Sequence, residues 1–244
     1  MKLKDKTVII TGAGGGIGSA LVERLFREEA KLILIEKTKE ALKKLVSKYG
    51  ERYKYYVCDF LDKKEFFGLV KHLNEELDEI EVLINVAGIG IYKPLETVSL
   101  KEWDNSFSLN VTAPFILTKE LLSKLQKSKT SLVLNIGSGA GVIPMKNRSV
   151  YCSTKFALRG LTLSLVEEFK GKPPFFCLIT LGSTLTRFGP MSLEEKIKQY
   201  EGGTAYFVPE WVADKLIEII KDIDRKTEYV LYPGEFGFGT WKKP

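Results

Sequence analysis

Tyr151 and Lys155 stand four residues apart, thirteen residues behind Ser138, and the chain opens on the glycine-rich run Thr11-Gly12-Ala13-Gly14-Gly15-Gly16-Ile17-Gly18. A phenol exchanges protons poorly near neutrality because its reference pKa is about 10. A nearby ammonium favours the phenolate, and residues at i and i+4 share one face of a helix. Tyr151 and Lys155 can therefore act as a proton-exchanging pair, with the Ser138 hydroxyl holding a substrate oxygen. Tyr-x-x-x-Lys carries little weight alone, since a chain with 37 Lys plus Arg and 10 Tyr contains it about once by chance. Its combination with the glycine run is what points to chemistry.

That run follows a strand pattern and opens a helix pattern, so backbone N–H groups and the helix dipole can receive a pyrophosphate where side chains would block it. The spacing is Gly12-x-x-x-Gly16-x-Gly18, with Gly14, Gly15 and Ile17 inside it. A glycine turn that merely lets helix and strand approach is the alternative. Glu36 closes the second strand pattern, where an acid can hold the adenosine ribose hydroxyls. A carboxylate there repels the extra phosphate of NADP, and Gly15 offers no basic side chain to attract it, which favours NAD. Lys37 beside it keeps NADP open.

Strand-like runs at Thr7–Thr11, Lys31–Glu36, Tyr53–Cys58, Val82–Asn85, Leu132–Ile136, Phe175–Thr180 and Tyr229–Leu231 alternate with helical patterns. The helices fall near Ile17–Glu29, Lys39–Tyr49, Lys63–Leu77, Leu100–Gln126, Val150–Phe169 and Pro209–Ile223. The alternation predicts a doubly wound α/β fold with a seven-stranded parallel sheet covered on both faces. The stretch from Ser183 to Phe207, flanked by glycines, reads as a mobile insertion with a short helix and a candidate lid.

At 244 residues, 44% hydrophobic and 28% charged, the chain fits one globular domain over 1–244. The net charge of +6 comes from lysines interspersed with glutamates, the pattern of solvated helix surfaces rather than of nucleic-acid binding. The start carries no signal-peptide pattern and no apolar run reaches spanning length, so the expected location is the cytoplasm, off the membrane. Cys58, Cys152 and Cys177 have no metal or redox spacing, and His72 has no partner pattern, so no metal site is expected. Trp103 and Trp211 read as packing or subunit-contact residues.

Over nearly its whole length the chain resembles the short-chain dehydrogenase/reductase family, in its single-domain, Rossmann-type branch. The likeness rests on Thr11-Gly12-x-x-x-Gly16-x-Gly18, Asp59 after the third strand, Asn85-Val86-Ala87-Gly88, Asn110, Ser138, Tyr151-Cys152-Ser153-Thr154-Lys155 and Leu181-Gly182-Ser183-Thr184-Leu185-Thr186. The resemblance implies that Asp59, with Phe60 after it, meets the adenine. It implies that Asn85, Ala87 and Gly88 pack on the adenosine side, and that Gly182, Thr184 and Thr186 approach the nicotinamide. It also implies a tetrad: Tyr151 as general acid and base, Lys155 lowering its pKa and holding the nicotinamide ribose, Ser138 orienting the substrate, and Asn110 holding a relay water. Departures are Val86 where a second Asn is usual, Leu181 where Pro is usual, and a C-terminus without the Asp-Gly-Gly ending of the carrier-linked 3-oxoacyl reductases.

The expected activity is hydride transfer between a nicotinamide cofactor, NAD favoured over NADP, and a secondary alcohol or ketone with an apolar body. Ile89, Ile91, Tyr92, Val142, Ile143, Met145, Phe188, Met191, Tyr200, Tyr206 and Phe207 are the expected pocket residues. The alternatives are an NADP-dependent carbonyl or 3-oxoacyl reductase that uses Lys37 as its phosphate clamp, and a dinucleotide-binding redox sensor without turnover. The resemblance further implies a homodimer or homotetramer through the long helices near Leu100–Gln126 and Val150–Phe169.

Overall fold

The computed structural model describes residues 1–49 and 53–240, leaving aside the side chains of residues 44 and 46. The domain expected over 1–244 thus lies outside the described residues at 50–52 and 241–244. Its strands are β1 (Thr7–Thr11), β2 (Lys31–Glu36), β3 (Tyr53–Val57), β4 (Val82–Asn85), β5 (Leu132–Ile136), β6 (Phe175–Leu181) and β7 (Glu228–Leu231). They form one seven-stranded sheet, parallel throughout, in the order β3-β2-β1-β4-β5-β6-β7. The order reverses between β1 and β4, where the carboxyl ends of the strands diverge and leave a crevice.

Both faces are apolar because successive side chains of a buried strand point to opposite sides. Val8, Ile10, Leu32 and Leu34 pack on one side beneath α1 (Gly16–Arg27) and α9 (Pro209–Lys221). Ile9, Ile33, Ile35 and Leu83 face the other, beneath α3 (Lys63–Glu76) and α5 (Ala113–Glu120). The remaining helices are α2 (Lys39–Tyr49), α4 (Leu100–Phe107), α6 (Leu122–Leu125), α7 (Ser149–Glu168) and α8 (Leu193–Glu201).

The single helix expected over Leu100–Gln126 is instead α4, a π-helical turn at Ser108–Thr112, α5 and α6. Pro114, at the start of α5, has no N–H for the Asn110 carbonyl four residues back and its ring crowds that carbonyl, so the backbone widens there. The break falls on one of the expected site residues.

Candidate active site

The glycine turn after β1, the candidate dinucleotide cradle, is built by close approach. The Thr11 hydroxyl accepts from the Val86 and Ala87 N–H groups at 3.2 Å each, tying the loop after β4 to the end of β1. Gly12 turns the chain with φ +67, and a Cβ on it would lie 3.0 Å from the Ala87 backbone. A Cβ on Gly18 would lie 2.1 Å from the Gly12 carbonyl oxygen, so only glycine lets α1 start so near the turn. At Gly15, by contrast, the nearest atom to such a Cβ is the Gly12 oxygen at 3.3 Å, and the residue lines a large cavity. A phosphate fits where side chains are missing.

Glu36 reaches the same cavity from the end of β2. Its carboxylate accepts from the Gly14 N–H at 2.9 Å and the Lys37 N–H at 2.7 Å. The Lys37 ammonium pairs with Asp59 at 2.9 Å. Burial alone would raise the Asp59 carboxyl, but the Lys37 ammonium and the Leu61 N–H outweigh it and hold the group below its usual range. Phe60 packs on Phe66, ring centres 4.6 Å apart, and borders the cavity with Ile17, Ala87 and Gly88.

Ser138, Tyr151 and Lys155 line the same cavity, which measures about 1100 Å³. Ser138 leaves β5 and accepts from the Ala140 N–H at 3.2 Å, opening the 3-10 turn Gly139–Gly141. That turn lies directly on α7, since a Cβ on Gly141 would meet the Lys155 carbonyl oxygen at 2.7 Å. This contact brings the hydroxyl to the phenol.

Burial pushes the Tyr151 phenol up, against the opposing pull of the Ser138 hydroxyl, the Tyr92 phenol and the Arg148 guanidinium. Tyr92 sets its ring edge-on to Tyr151 at 5.2 Å. Burial also drives the Lys155 ammonium down to about 8. Its Nζ lies 5.8 Å from the Tyr151 ring centre and donates to the Ile136 carbonyl at 2.8 Å.

The candidate lid, Ser183 to Phe207, also lines the cavity through Thr184, Thr186, Phe188 and Met191. Its helix α8 starts on a capping box of Ser192 and Glu195. The buried Lys196 ammonium donates to the Thr186 carbonyl at 2.8 Å and to the Phe188 carbonyl. A bridge joins Thr184 to Phe207, and another joins Thr204 to Thr240 in the C-terminal tail. Phe207 stacks on Trp211 at 4.4 Å and meets Phe238 at 5.3 Å, so lid, α9 and tail share one aromatic cluster. The insertion expected to be mobile is therefore tied at its root, its helix and its end.

Several expected site residues sit elsewhere or bind differently. Asn85 does not border the cavity; its amide donates to Asn135 at 2.8 Å across β4 and β5, because the pair are register partners in the sheet. Gly14 gives its N–H to Glu36, and a Cβ there would strike Ala41 at 2.5 Å, so it serves packing of α2. Asn110 ties Ile89 and Thr154 together, its Oδ1 accepting from Ile89 N–H at 2.9 Å and its Nδ2 donating to the Ile89 carbonyl and Thr154 at 2.8 and 2.9 Å. All three of these side-chain contacts are to protein groups. Thr186 packs its methyl toward Gly16, where a Cβ would come within 2.5 Å, so it reaches the glycine turn. Gly182, Thr184 and Thr186 all border the cavity. Of the apolar pocket residues expected, Ile91, Val142, Tyr200 and Phe207 do not line it.

Lining residues that the sequence patterns do not point to include Arg148, Arg187 and Lys196, with Tyr232, Glu235 and Thr240 from the tail. Arg148 left a signal: a cation at the N-terminal end of a helix sits against the macrodipole and calls for a reason. The tail left none, because its approach depends on contacts distant in the chain. Cys58 is buried, and burial with Glu65, Asp59 and Asp62 nearby pushes its thiol up to about 12.

The short chain dehydrogenase family model matches residues 6–194 of the chain. The chain belongs to that family and is an NAD(P)-dependent dehydrogenase/reductase. It is 33% identical over 173 residues to an uncharacterized oxidoreductase of Thermotoga maritima, covering 69% of this chain and 68% of that one. An alcohol dehydrogenase from the archaeon Thermococcus sibiricus, solved in complex with 5-hydroxy-NADP, superposes with a TM-score of 0.81 at 25% identity, covering 99% of each chain. A 3-ketoacyl-(acyl-carrier-protein) reductase from Brucella melitensis, complexed with NADH, shares the fold with a TM-score of 0.81 at 20% identity, over 94% of this chain and 96% of that one. Among the described residues no helix is long and apolar enough to cross a membrane.

Proposed function

We propose that the protein interconverts a secondary alcohol and its ketone, with an apolar substrate body and NAD as the preferred cofactor. The observation that carries this is one continuous cavity bordered at one end by Gly15, Gly16 and Glu36 and at the other by Ser138, Tyr151 and Lys155. The bound nicotinamide would take or give the hydride at its C4. In reduction the carbonyl carbon gains that hydride, its π pair passes to oxygen, and the oxygen takes the Tyr151 proton; oxidation runs the reverse.

Ser138 holds the substrate oxygen beside the phenol. Lys155, buried against the Ile136 carbonyl, keeps a positive charge at the same end of the cavity. Asn110 acts as a positioning residue, fixing Ile89 and α7 relative to each other. The preference for NAD rests on two features. The Glu36 carboxylate faces the cavity where a 2′-phosphate would arrive, and the Lys37 ammonium next in the chain is already paired with Asp59. Ile89, Ile143, Met145, Phe188 and Met191 give the substrate end its apolar surface.

The test is calorimetric titration with NAD, NADH, NADP and NADPH, then a turnover screen of secondary alcohols and ketones with the tightest binder. Tighter NAD(H) binding with turnover supports the reading. Preference for NADPH would transfer the cofactor assignment to Lys37, and binding without turnover of any substrate would leave a dinucleotide sensor in its place.

A further inference from the structure

The arginines divide sharply by location. Away from the cavity Arg24 pairs with Asp214, Arg27 with Glu23 and Arg159 with Glu228, and Arg225 donates to the Ile219 and Ile220 carbonyls. Arg148 and Arg187 both line the cavity, and among the described residues neither meets a carboxylate or a carbonyl oxygen.

Arg148 is the deeper and half-buried one. Its guanidinium lies over the Tyr92 ring, 4.7 Å from the ring centre, and one nitrogen approaches the Met145 sulfur at 3.1 Å. A thioether is a weak acceptor and a ring face accepts no directed N–H pair, so most of the five donors of this fork are left for something else. It stands at the N-terminal end of α7, where the helix dipole opposes a cation, with no acidic residue in the first turn. Lys196 adds another positive group to this end of the cavity, while its ammonium is committed to lid carbonyls. The carboxylate bordering the same end is Glu235, exposed on the tail and paired with none of these cations.

We infer that the substrate carries a carboxylate a few bonds from its carbinol carbon, and that Arg148 receives it. Tyr92 packs against both the guanidinium and Tyr151, so the anion and the reacting oxygen would be held on either side of one tyrosine. A short 2- or 3-hydroxy acid with a branched or aliphatic body, or the corresponding oxo acid, brings a carboxylate and a carbinol oxygen together in this way. A planar fork matches a carboxylate with two parallel N–H bonds, which a lysine would not reproduce. Exposed Arg187 at the cavity mouth attracts the same anion on its way in. This inference rests on the proposed reaction and narrows its substrate class.

The test uses the holoenzyme saturated with its preferred dinucleotide and a panel of branched 2- and 3-oxo acids, each beside its methyl ester. The wild type is expected to favour acid over ester by about 10-fold or more in kcat/KM. Arg148→Met should lower that ratio about 10-fold, and Arg148→Lys should restore part of it. Arg148→Gln replaces the methionine variant if that one does not fold. In parallel, calorimetry of 3-methylbutanoate binding to the enzyme–dinucleotide complex should show affinity weakened about 10-fold by the same substitution. Equal use of acids and esters, or 3-methylbutanoate binding that ignores Arg148, overturns the inference while leaving the reaction standing. Turnover of neither acids, esters nor plain ketones would instead sink the reaction, and the carboxylate titration would still decide Arg148.

Discussion

The two ends of the cavity are made in different ways. The candidate dinucleotide end is made chiefly of backbone: Gly18 in reach of the Gly12 carbonyl, Gly12 against Ala87, and the loop after β4 held by its N–H groups on the Thr11 hydroxyl. The substrate end is side chain packed on side chain, drawn from the segment after β4, the turn after β5, the lid and the tail. The first tolerates no added carbon at Gly12 or Gly18, whereas the second is lined chiefly by side chains from loops and the tail rather than by the sheet. A family can thus keep its cofactor and change its substrate.

Substitutions can break this contrast, and the largest effect should come where the two ends meet. Tyr151→Phe should cost about 10²- to 10⁴-fold in turnover while dinucleotide affinity, read by calorimetry, stays nearly constant. Comparable loss of both would mean that the phenol builds the cofactor site instead.

Within the dinucleotide end, Gly18→Ala and Gly15→Ala should separate. At Gly18 the added carbon meets the Gly12 oxygen at 2.1 Å, so thermal unfolding should reveal a loss of about 1–3 kcal/mol or more. At Gly15 the nearest atom is 3.3 Å away, a tight contact that a shift of a few tenths of an ångström relieves, so the melting temperature should fall less than for Gly18→Ala although dinucleotide binding weakens. Identical behaviour of the pair would contradict the assignment of a phosphate to the space beside Gly15.

The titration of Lys155 gives a signed test. Its folded-state value, about 8, lies below the ordinary 10.5 because the charged form is buried. Between those values the unfolded chain binds more protons, so this residue makes stability rise with pH across that window, by up to about 3 kcal/mol. Tyr151 acts in the opposite sense above pH 10, since its folded value is raised. Denaturant unfolding of wild type and Lys155→Met, without added dinucleotide, should therefore diverge from pH 8 upward. Parallel curves would mean that the ammonium is not desolvated.

The smallest effect belongs to the lid. Lys196→Met leaves the Thr186 and Phe188 carbonyls without their donor, which should cost about 1–2 kcal/mol and quicken proteolysis within 183–207. An unchanged cleavage rate would show that the bridges at Thr184 and Thr204 hold the lid without it.

The dinucleotide end was legible in the sequence because its determinants are local. Each strand pattern falls within a residue or two of its observed bounds, and the turn, Glu36 and the Tyr151 helix lie within or just after one element. Asn85 misled because a polar residue at a strand end looks the same whether it turns to the crevice or to a register partner such as Asn135. Asn110 was placed in an unbroken helix since the periodicity of Leu100–Gln126 hides what Pro114 does to the backbone. The substrate end depends on contacts between segments far apart, such as Thr204 with Thr240 and Tyr92 with Arg148. No window along the chain contains them.

The aromatic cluster at the foot of the lid has an optical consequence. Trp211 lies stacked on Phe207, the last residue of the lid, with Phe236 and Phe238 of the tail against its other edges. Its indole is therefore an intrinsic fluorophore set where lid, helix and tail converge. Were those three to part, the Trp211 share of the emission should move to longer wavelength as water reaches the ring, and a Trp103→Phe background would help isolate it.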